Sequence, residues 1–224
     1  LPGRTDLRAD GQLILGDTFG YQGQLLLASK QPSGFAKWLG SDVTPAIRDL
    51  SSAGFSAQAV IGEELLELDD VEIILDGEAL KGKVRREAGT DQRPNLIAKL
   101  TGDAVDFDQL SSLFAMFSNN GSEKLAQGHD LDLDLKAKVM AISGLQARDV
   151  VARVIANPER IDISRLAIAD MAGTSLAIEG SVEDLLGKPI GKVSSRLVSE
   201  NPARFLDMLN RRFGPFPTMA GLIS

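Results

Sequence analysis

The single histidine of the chain, His129, stands directly before three aspartates at alternate positions, Asp130, Asp132 and Asp134, in the run HDLDLDL. Carboxylate oxygens in that number are what a calcium or magnesium ion takes as ligands. Alternation argues against a shared ion, because positions two apart on an extended strand lie roughly 7 Å from one another and point outward in parallel. The interleaved Leu131, Leu133 and Leu135 complete a strand with one aliphatic and one solvated face. A lone imidazole suits a surface position, and neither a nucleophile elbow nor a His-Glu-x-x-His run is present. Asp103, Asp106 and Asp108 could pair for acid/base work, but the start of a helix is where aspartates belong on electrostatic grounds. Gly16, Gly20 and Gly23 in GDTFGYQG lack the Gly-Lys-Ser/Thr of a phosphate loop and read as turn and close-packing positions. With no cysteine, disulfides, thiolate metal sites and a thiol nucleophile are excluded. The expectation is a protein that is not an enzyme and has no cofactor or metal, whose function resides in a surface.

The elements that present such a surface follow from composition. Of the 224 residues 43% are hydrophobic but only 5% aromatic, so the apolar surface is aliphatic and suits acyl chains better than stacked bases. The net charge is −7 with no dense Lys/Arg run, which removes the electrostatic basis for binding nucleic acid. No window approaches the ~18 to 20 apolar residues of a membrane span. The chain starts at Leu1, without an initiator Met and within a pattern, so the expectation is a soluble piece whose targeting segment lies outside it.

Two stretches share one pattern. In LELDDVEIILDGEALKGKV, residues Leu66, Leu68, Val71, Ile73, Gly77, Leu80, Gly82 and Val84 align with Ile161, Ile163, Leu166, Ile168, Gly173, Leu176, Gly180 and Val182 of IDISRLAIADMAGTSLAIEGSV, given two short insertions. Such self-similarity marks a repeated supersecondary unit that needs neighbours to cover its apolar side. Each copy reads as a hairpin. The odd step across Asp69 and Asp70 implies a bulge or corner, and Asp76-Gly77 forms the turn. Further strands are expected near Leu13 to Leu15, over 23–29, at Phe55 to Val60, around Leu96 to Leu100, from Leu131 to Val139 and over Ala147 to Ala156. Helices are expected after Pro32, from Thr44-Pro45 to Leu50, and from an Asp106 cap with Phe107, Leu110 and Phe114 on one face.

A second echo joins these segments. Leu27, Leu100 and Leu197 end alternating strands, and Phe35, Phe107 and Phe205 open short amphipathic helices seven or eight residues later. The C-terminal helix, which carries Arg204, Arg211 and Arg212 beside Phe205, Leu206, Met208 and Leu209, reads as a packed end helix. The expected architecture is a β-dominated α+β fold: a curled antiparallel sheet of repeated hairpins forming an open groove, with short amphipathic helices at its ends or edge. The chain would be a single elongated domain over 1–224, with repeat units near 55–118 and 131–213 and a partial unit over 1–52.

This texture of LxLxxLxLxxxGxxLxGxV hairpins, strands such as HDLDLDLKAKV, and connecting segments such as SVEDLLGKPIGKVSSRLVSENPARFLDML resembles the AsmA family of bacterial cell-envelope proteins, related to TamB, over most of residues 10–213. The resemblance implies a twisted sheet curled into an aliphatic groove in the periplasm of a Gram-negative bacterium. It implies binding or conduction of phospholipid acyl chains between inner and outer membrane, in support of outer-membrane biogenesis. It also implies attachment to the inner membrane through a segment not present here. The lining expected from the alternation is Leu66, Leu68, Val71, Ile73, Leu80, Val84, Leu131, Leu133, Leu135, Ile161, Ile163, Leu166, Ile168, Leu176 and Ile178. The partners would be lipid acyl chains and other envelope proteins. The alternative is a structural or protein-interaction module of the envelope, with the same face closed as a core between sheet and helices.

Overall fold

The computed structural model describes residues 1–200 apart from 17, 41–42, 64, 89–92, 118–129 and 143, together with 202, 203, 207 and 210; the side chains of 113–117 are also outside the description. His129, Phe114, Phe205 and the arginine-bearing C-terminal helix therefore lie outside the described residues or side chains. The chain alternates apolar and polar residues over long runs, and these form β1 (Thr5–Leu15), β2 (Phe19–Ser29), β3 (Ala53–Ile61), β4 (Leu66–Leu75), β5 (Glu78–Glu87), β6 (Asn95–Asp106), β7 (Asp130–Ile142), β8 (Leu145–Ala156), β9 (Arg160–Met171), β10 (Thr174–Glu183) and β11 (Ile190–Ser199). All eleven join one sheet in sequence order.

Among the described residues three helices interrupt the series: α1 (Pro32–Trp38), α2 (Pro45–Asp49) and α3 (Phe107–Phe117). Pro32 and Pro45 occupy first-turn positions where a missing N–H costs nothing. Thr44 caps α2 by accepting from the Ile47 N–H at 3.3 Å, and Asp106 caps α3 by accepting from the Gln109 N–H at 2.9 Å. Gly40, at φ 74°, follows α1 in the left-handed conformation that closes a helix. Phe107 departs from its expected role. It is 38% exposed whereas Leu110 is 6% exposed, because Phe107 is the first helical residue and stands clear of the sheet face that Leu110 meets.

The expected all-antiparallel sheet needs one correction. β6 and β7 pair in parallel, Asn95 beside Asp130 and Leu100 beside Leu135. Strand β6 leaves the sheet into α3, and the chain regains its starting end before β7 begins, which is the connection a parallel pair requires. The strong curl is also absent: the sheet is open and not strongly curled. Its irregularities preserve sidedness. Asp70 adopts left-handed backbone, φ 49°, at the bulge in β4. Aspartate tolerates that region better than most residues. The extra residue restores the in/out phase, so Leu66 and Leu68 share a face with Val71, Ile73 and Leu75 although the spacing changes from even to odd between them.

All three helices sit at one end of the sheet. The tight turns are there too: Asp76-Gly77 between β4 and β5 (φ 50° and 94°), Ala172-Gly173 between β9 and β10 (φ 54° and 79°), and the two-residue link ending at Gly144 between β7 and β8. Positive φ at both central residues is the type I′ geometry that matches strand twist. The longer links, 62–65, 88–94, 157–159 and 184–189, cluster at the opposite end.

Candidate functional site: a one-sided aliphatic face

Strand register places the whole expected lining on a single face. Leu68 lies beside Val84, Ile73 beside Leu80, Leu135 beside Leu100 and Ala152, Ile168 beside Leu176, Leu166 beside Ile178, and Ile161 beside Val182. Register shifts between Ile163 and Leu166 and between Ile168 and Met171 hold the β9 residues in the same phase as their counterparts in β4. This is the face that carries the helices.

Burial on it runs in a gradient. Near the helices, Val71, Ile73, Leu80, Leu135 and Ile168 are buried, in one cluster with Phe35 of α1, Ile47 of α2 and Leu110 of α3. A residual cavity of about 180 Å³ remains under α3 among Ile73, Leu75, Leu80, Val105 and Leu110. Toward the other end, Leu66, Leu68, Val84, Leu131, Leu133, Ile161, Ile163, Leu166 and Ile178 are half-buried, as is Leu176 beside Ile168; of these, Leu68, Val84, Leu133, Leu166 and Leu176 pack against the margin of the buried cluster. The substantial packing between strands is all between sheet neighbours, while α1 packs on α2, α2 on α3, and α3 on β6 and β7. The lining thus divides into a closed part and an open part, and Leu135 belongs to the first while Leu131 and Leu133 belong to the second.

The opposite face is polar and tied by ion pairs across the strands. Lys81 meets Glu72 at 2.7 Å, Lys83 meets Asp69 at 2.6 Å and Lys138 meets Asp103 at 2.7 Å. Asp134 and Asp130, read as the solvated side of their strand, face Arg153 at 3.5 Å and Arg93 at 3.6 Å. Among the described residues no group of three His, Cys, Asp or Glu could hold a metal. A shallow concavity on this polar side is lined by Lys81, Thr101, Asp103, Lys136 and Lys138. At the helix end, burial pushes the Asp76 carboxyl upward, but hydrogen bonds from the Ser51 hydroxyl and from the Ser52 and Ser51 N–H groups prevail and hold it below the usual range.

One residue escaped the alternation reading. Arg86 stands opposite Leu66 and Leu96, in phase with Leu80, Gly82 and Val84, and so on the aliphatic face at its open end. Its Nε is buried and has no hydrogen-bond partner among the described residues. Its signal was available: it is two positions beyond Val84 in a strand whose phase was already set. The glycines of the repeat have a packing role. A Cβ on Gly82 would overlap the Lys99 carbonyl oxygen and lie 3.0 Å from the Leu100 Cα, and one on Gly180 would lie 2.7 Å from the Val193 Cα.

Among the described residues no helix is long and apolar enough to cross a membrane. Comparison with known proteins gives no significant match to a family model, to a curated protein or to a solved structure.

Proposed function

We propose that the open part of the aliphatic face binds phospholipid acyl chains, and that the protein carries or conducts them between the inner and outer membranes of a bacterial envelope in the manner of AsmA-like proteins. The observation that carries this reading is the continuous half-buried band from Leu66 and Leu68 through Val84, Leu131 and Leu133 to Ile161 and Ile163, which lies beyond the helices. Covering methylenes gives about 0.8 kcal/mol each, with no directional contact needed. A lining of that kind holds a chain while letting it slide. Arg86, among the described strand residues the one cation in phase with the band, supplies a counter-charge for a phosphate at the open end. A periplasmic location and an inner-membrane attachment outside this chain belong to the same proposal.

The test is lipid capture. The purified chain is incubated with phosphatidylglycerol and with phosphatidylcholine vesicles, re-isolated, and analysed by native mass spectrometry and lipid extraction. Retained phospholipid that is lost in a Leu131→Asp/Leu133→Asp variant is the expected result. A lipid-free protein in both incubations would end the proposal.

A second reading, a structural or protein-interaction module, draws on the buried cluster of Phe35, Ile47, Leu110 and Leu135 at the helix end. It predicts no retained lipid and an unchanged oligomeric state in the same aspartate variant.

A further inference from the structure

The one parallel pair sets how the two edges of the sheet relate. Strand direction reverses at every step from β1 to β11 except between β6 and β7, so β11 runs opposite to β1. Had all the strands alternated, the two edges would run the same way. A second copy placed beside the first, with its helix-bearing face on the same side, therefore brings its β1 antiparallel to β11. Among the described residues neither edge has an outer neighbour. Both are long for edge strands, eleven and ten residues without proline and without a register shift. Leu7 of β1 is 58% exposed and Val193 of β11 is 52% exposed, whereas Leu27 and Leu176 on the adjoining inner strands are half-buried.

The edges also match in phase. The Lys30 N–H donates to the Arg4 carbonyl, and the Glu200 N–H donates to the Gly173 carbonyl. Even-numbered residues of both edge strands thus bond inward, and odd-numbered ones turn their N–H and C=O groups outward. The odd-numbered residues are also those on the aliphatic face: Leu7 lies beside Leu27, and Leu197 beside Leu176. Pairing odd with odd therefore makes the ladder and continues the face. At Thr5 the backbone groups are taken by Leu1, so the free edge of β1 starts at Leu7. On the polar face, charge selects one register. Asp6 and Asp10 of β1 and Lys192 and Arg196 of β11 are exposed, four residues apart in each strand, and have no ion pair among the described residues. With Arg196 opposite Asp6 and Lys192 opposite Asp10, Arg8 falls opposite Ser194. Sliding by two residues sets Arg8 against Arg196 in one direction and against Lys192 in the other. Like charges directly opposite are destabilising.

We infer that β11 of one copy and β1 of the next pair antiparallel, head to tail, with Leu7 opposite Ser195, Ala9 opposite Val193 and Gly11 opposite Gly191. The two main chains satisfy each other's outward N–H and C=O groups. Asp6 meets Arg196 and Asp10 meets Lys192 across the joint on the polar side, and the aliphatic face runs on from copy to copy. The contact is heterologous, since each copy offers its other edge to a further one, and assembly is open-ended. The partner is a second copy of this chain, and the assignment does not rest on lipid as the ligand.

The test is sedimentation velocity of the full chain over a concentration series at low salt, where the mean mass of the unsubstituted chain should rise with concentration. Asp6→Lys/Asp10→Lys and Lys192→Asp/Arg196→Asp each set like charges across the joint and should each weaken association by about tenfold. In an equimolar mixture of the two variants, unlike chains again present opposite charges at both edges. Association should return to within about threefold of the unsubstituted chain, a recovery that misfolded variants would not give. Since the chain has no cysteine, pairing can also be trapped. Arg8 and Ser194 fall in a non-hydrogen-bonded pair, whose side chains stand close. Mild oxidation of a mixture of Arg8→Cys and Ser194→Cys chains should give the mixed disulfide faster than either variant alone gives its own dimer. An unsubstituted chain that stays monomeric at millimolar concentration, a charge-variant mixture that associates no better than its components, or Arg8→Cys dimers outpacing the mixed disulfide would overturn the assignment.

Discussion

Leu133→Ala and Leu135→Ala delete the same atoms from the same face of β7, two positions apart, and they should differ sharply in cost. Leu135 is 6% exposed, flanked by Leu100 and Ala152, and belongs to the closed cluster. Its truncation loses the transfer free energy and leaves a cavity that the cluster cannot fill, about 3 kcal/mol. Leu133, beside Ala98 and Val154, is only half-buried and its surroundings continue into the open band. A void there opens to solvent, so only part of the transfer term is lost, roughly 1 kcal/mol. The difference of about 2 kcal/mol should appear in urea unfolding followed by circular dichroism, as a midpoint separation of roughly 0.7 to 1 M at a common slope of about 2 to 3 kcal/mol/M. Equal costs, or a larger cost at Leu133, would mean that this part of the face is sealed. The acyl-chain reading would then lose its physical basis.

Other perturbations separate packing from charge. Gly82→Ala should destabilise by about 1 to 3 kcal/mol, because its Cβ would meet the backbone of Lys99 and Leu100, while Gly54→Ala, whose nearest atom is 3.6 Å away, should be neutral or stabilising by up to about 0.5 kcal/mol; thermal melts of the pair decide it. Asp76→Asn keeps an acceptor and tolerates the left-handed backbone but cannot titrate. Since the folded carboxyl lies below its ordinary value of 3.8, its contribution is present above that value and disappears as pH falls through the folded one. The variant should therefore be the less stable at pH 7, by less than about 1 kcal/mol given the exposure of the site, and the gap should narrow as pH falls below 3.8 in parallel denaturation curves. Arg86→Leu should leave the unfolding midpoint unchanged or raised, and should weaken retention of phosphatidylglycerol more than of phosphatidylcholine; equal effects on both would remove Arg86 from headgroup recognition.

What could be read in the chain beforehand was what local phase encodes. The strict alternation from Leu131 to Val139 settles which side chains share a face, and the Asp69-Asp70 step was recognisable as a bulge because apolar spacing changes parity there. Asp76-Gly77 carries its own turn chemistry, and the Thr44-Pro45 and Asp106 caps carry theirs. Partner choice is not local. Nothing within LIAKL or LDLDL states that Leu100 lies beside Leu135 in parallel, since the same alternation serves either direction. Curvature sums small twists over many strands, so no one hairpin reveals it. Arg86 was passed over for a simpler reason: in KVRRE its phase is fixed only by counting on from Val84, and a charged residue draws the eye to the polar side.

The single parallel pair has a kinetic consequence. β1 to β6 and β7 to β11 are each meanders in which every pairing is antiparallel and joins consecutive strands, so each can grow from local contacts. The β6/β7 ladder is the one junction whose partners meet only after α3 and residues 118–129 have been traversed. Loop closure is costly there, as it is at the β2/β3 junction across the equally long link 30–52, and docking along the parallel line is one of the two steps expected to set the folding rate. Destabilising substitutions at Leu100 or Leu135 should slow refolding in stopped-flow measurements, whereas equivalent ones in β9 should act mainly on unfolding.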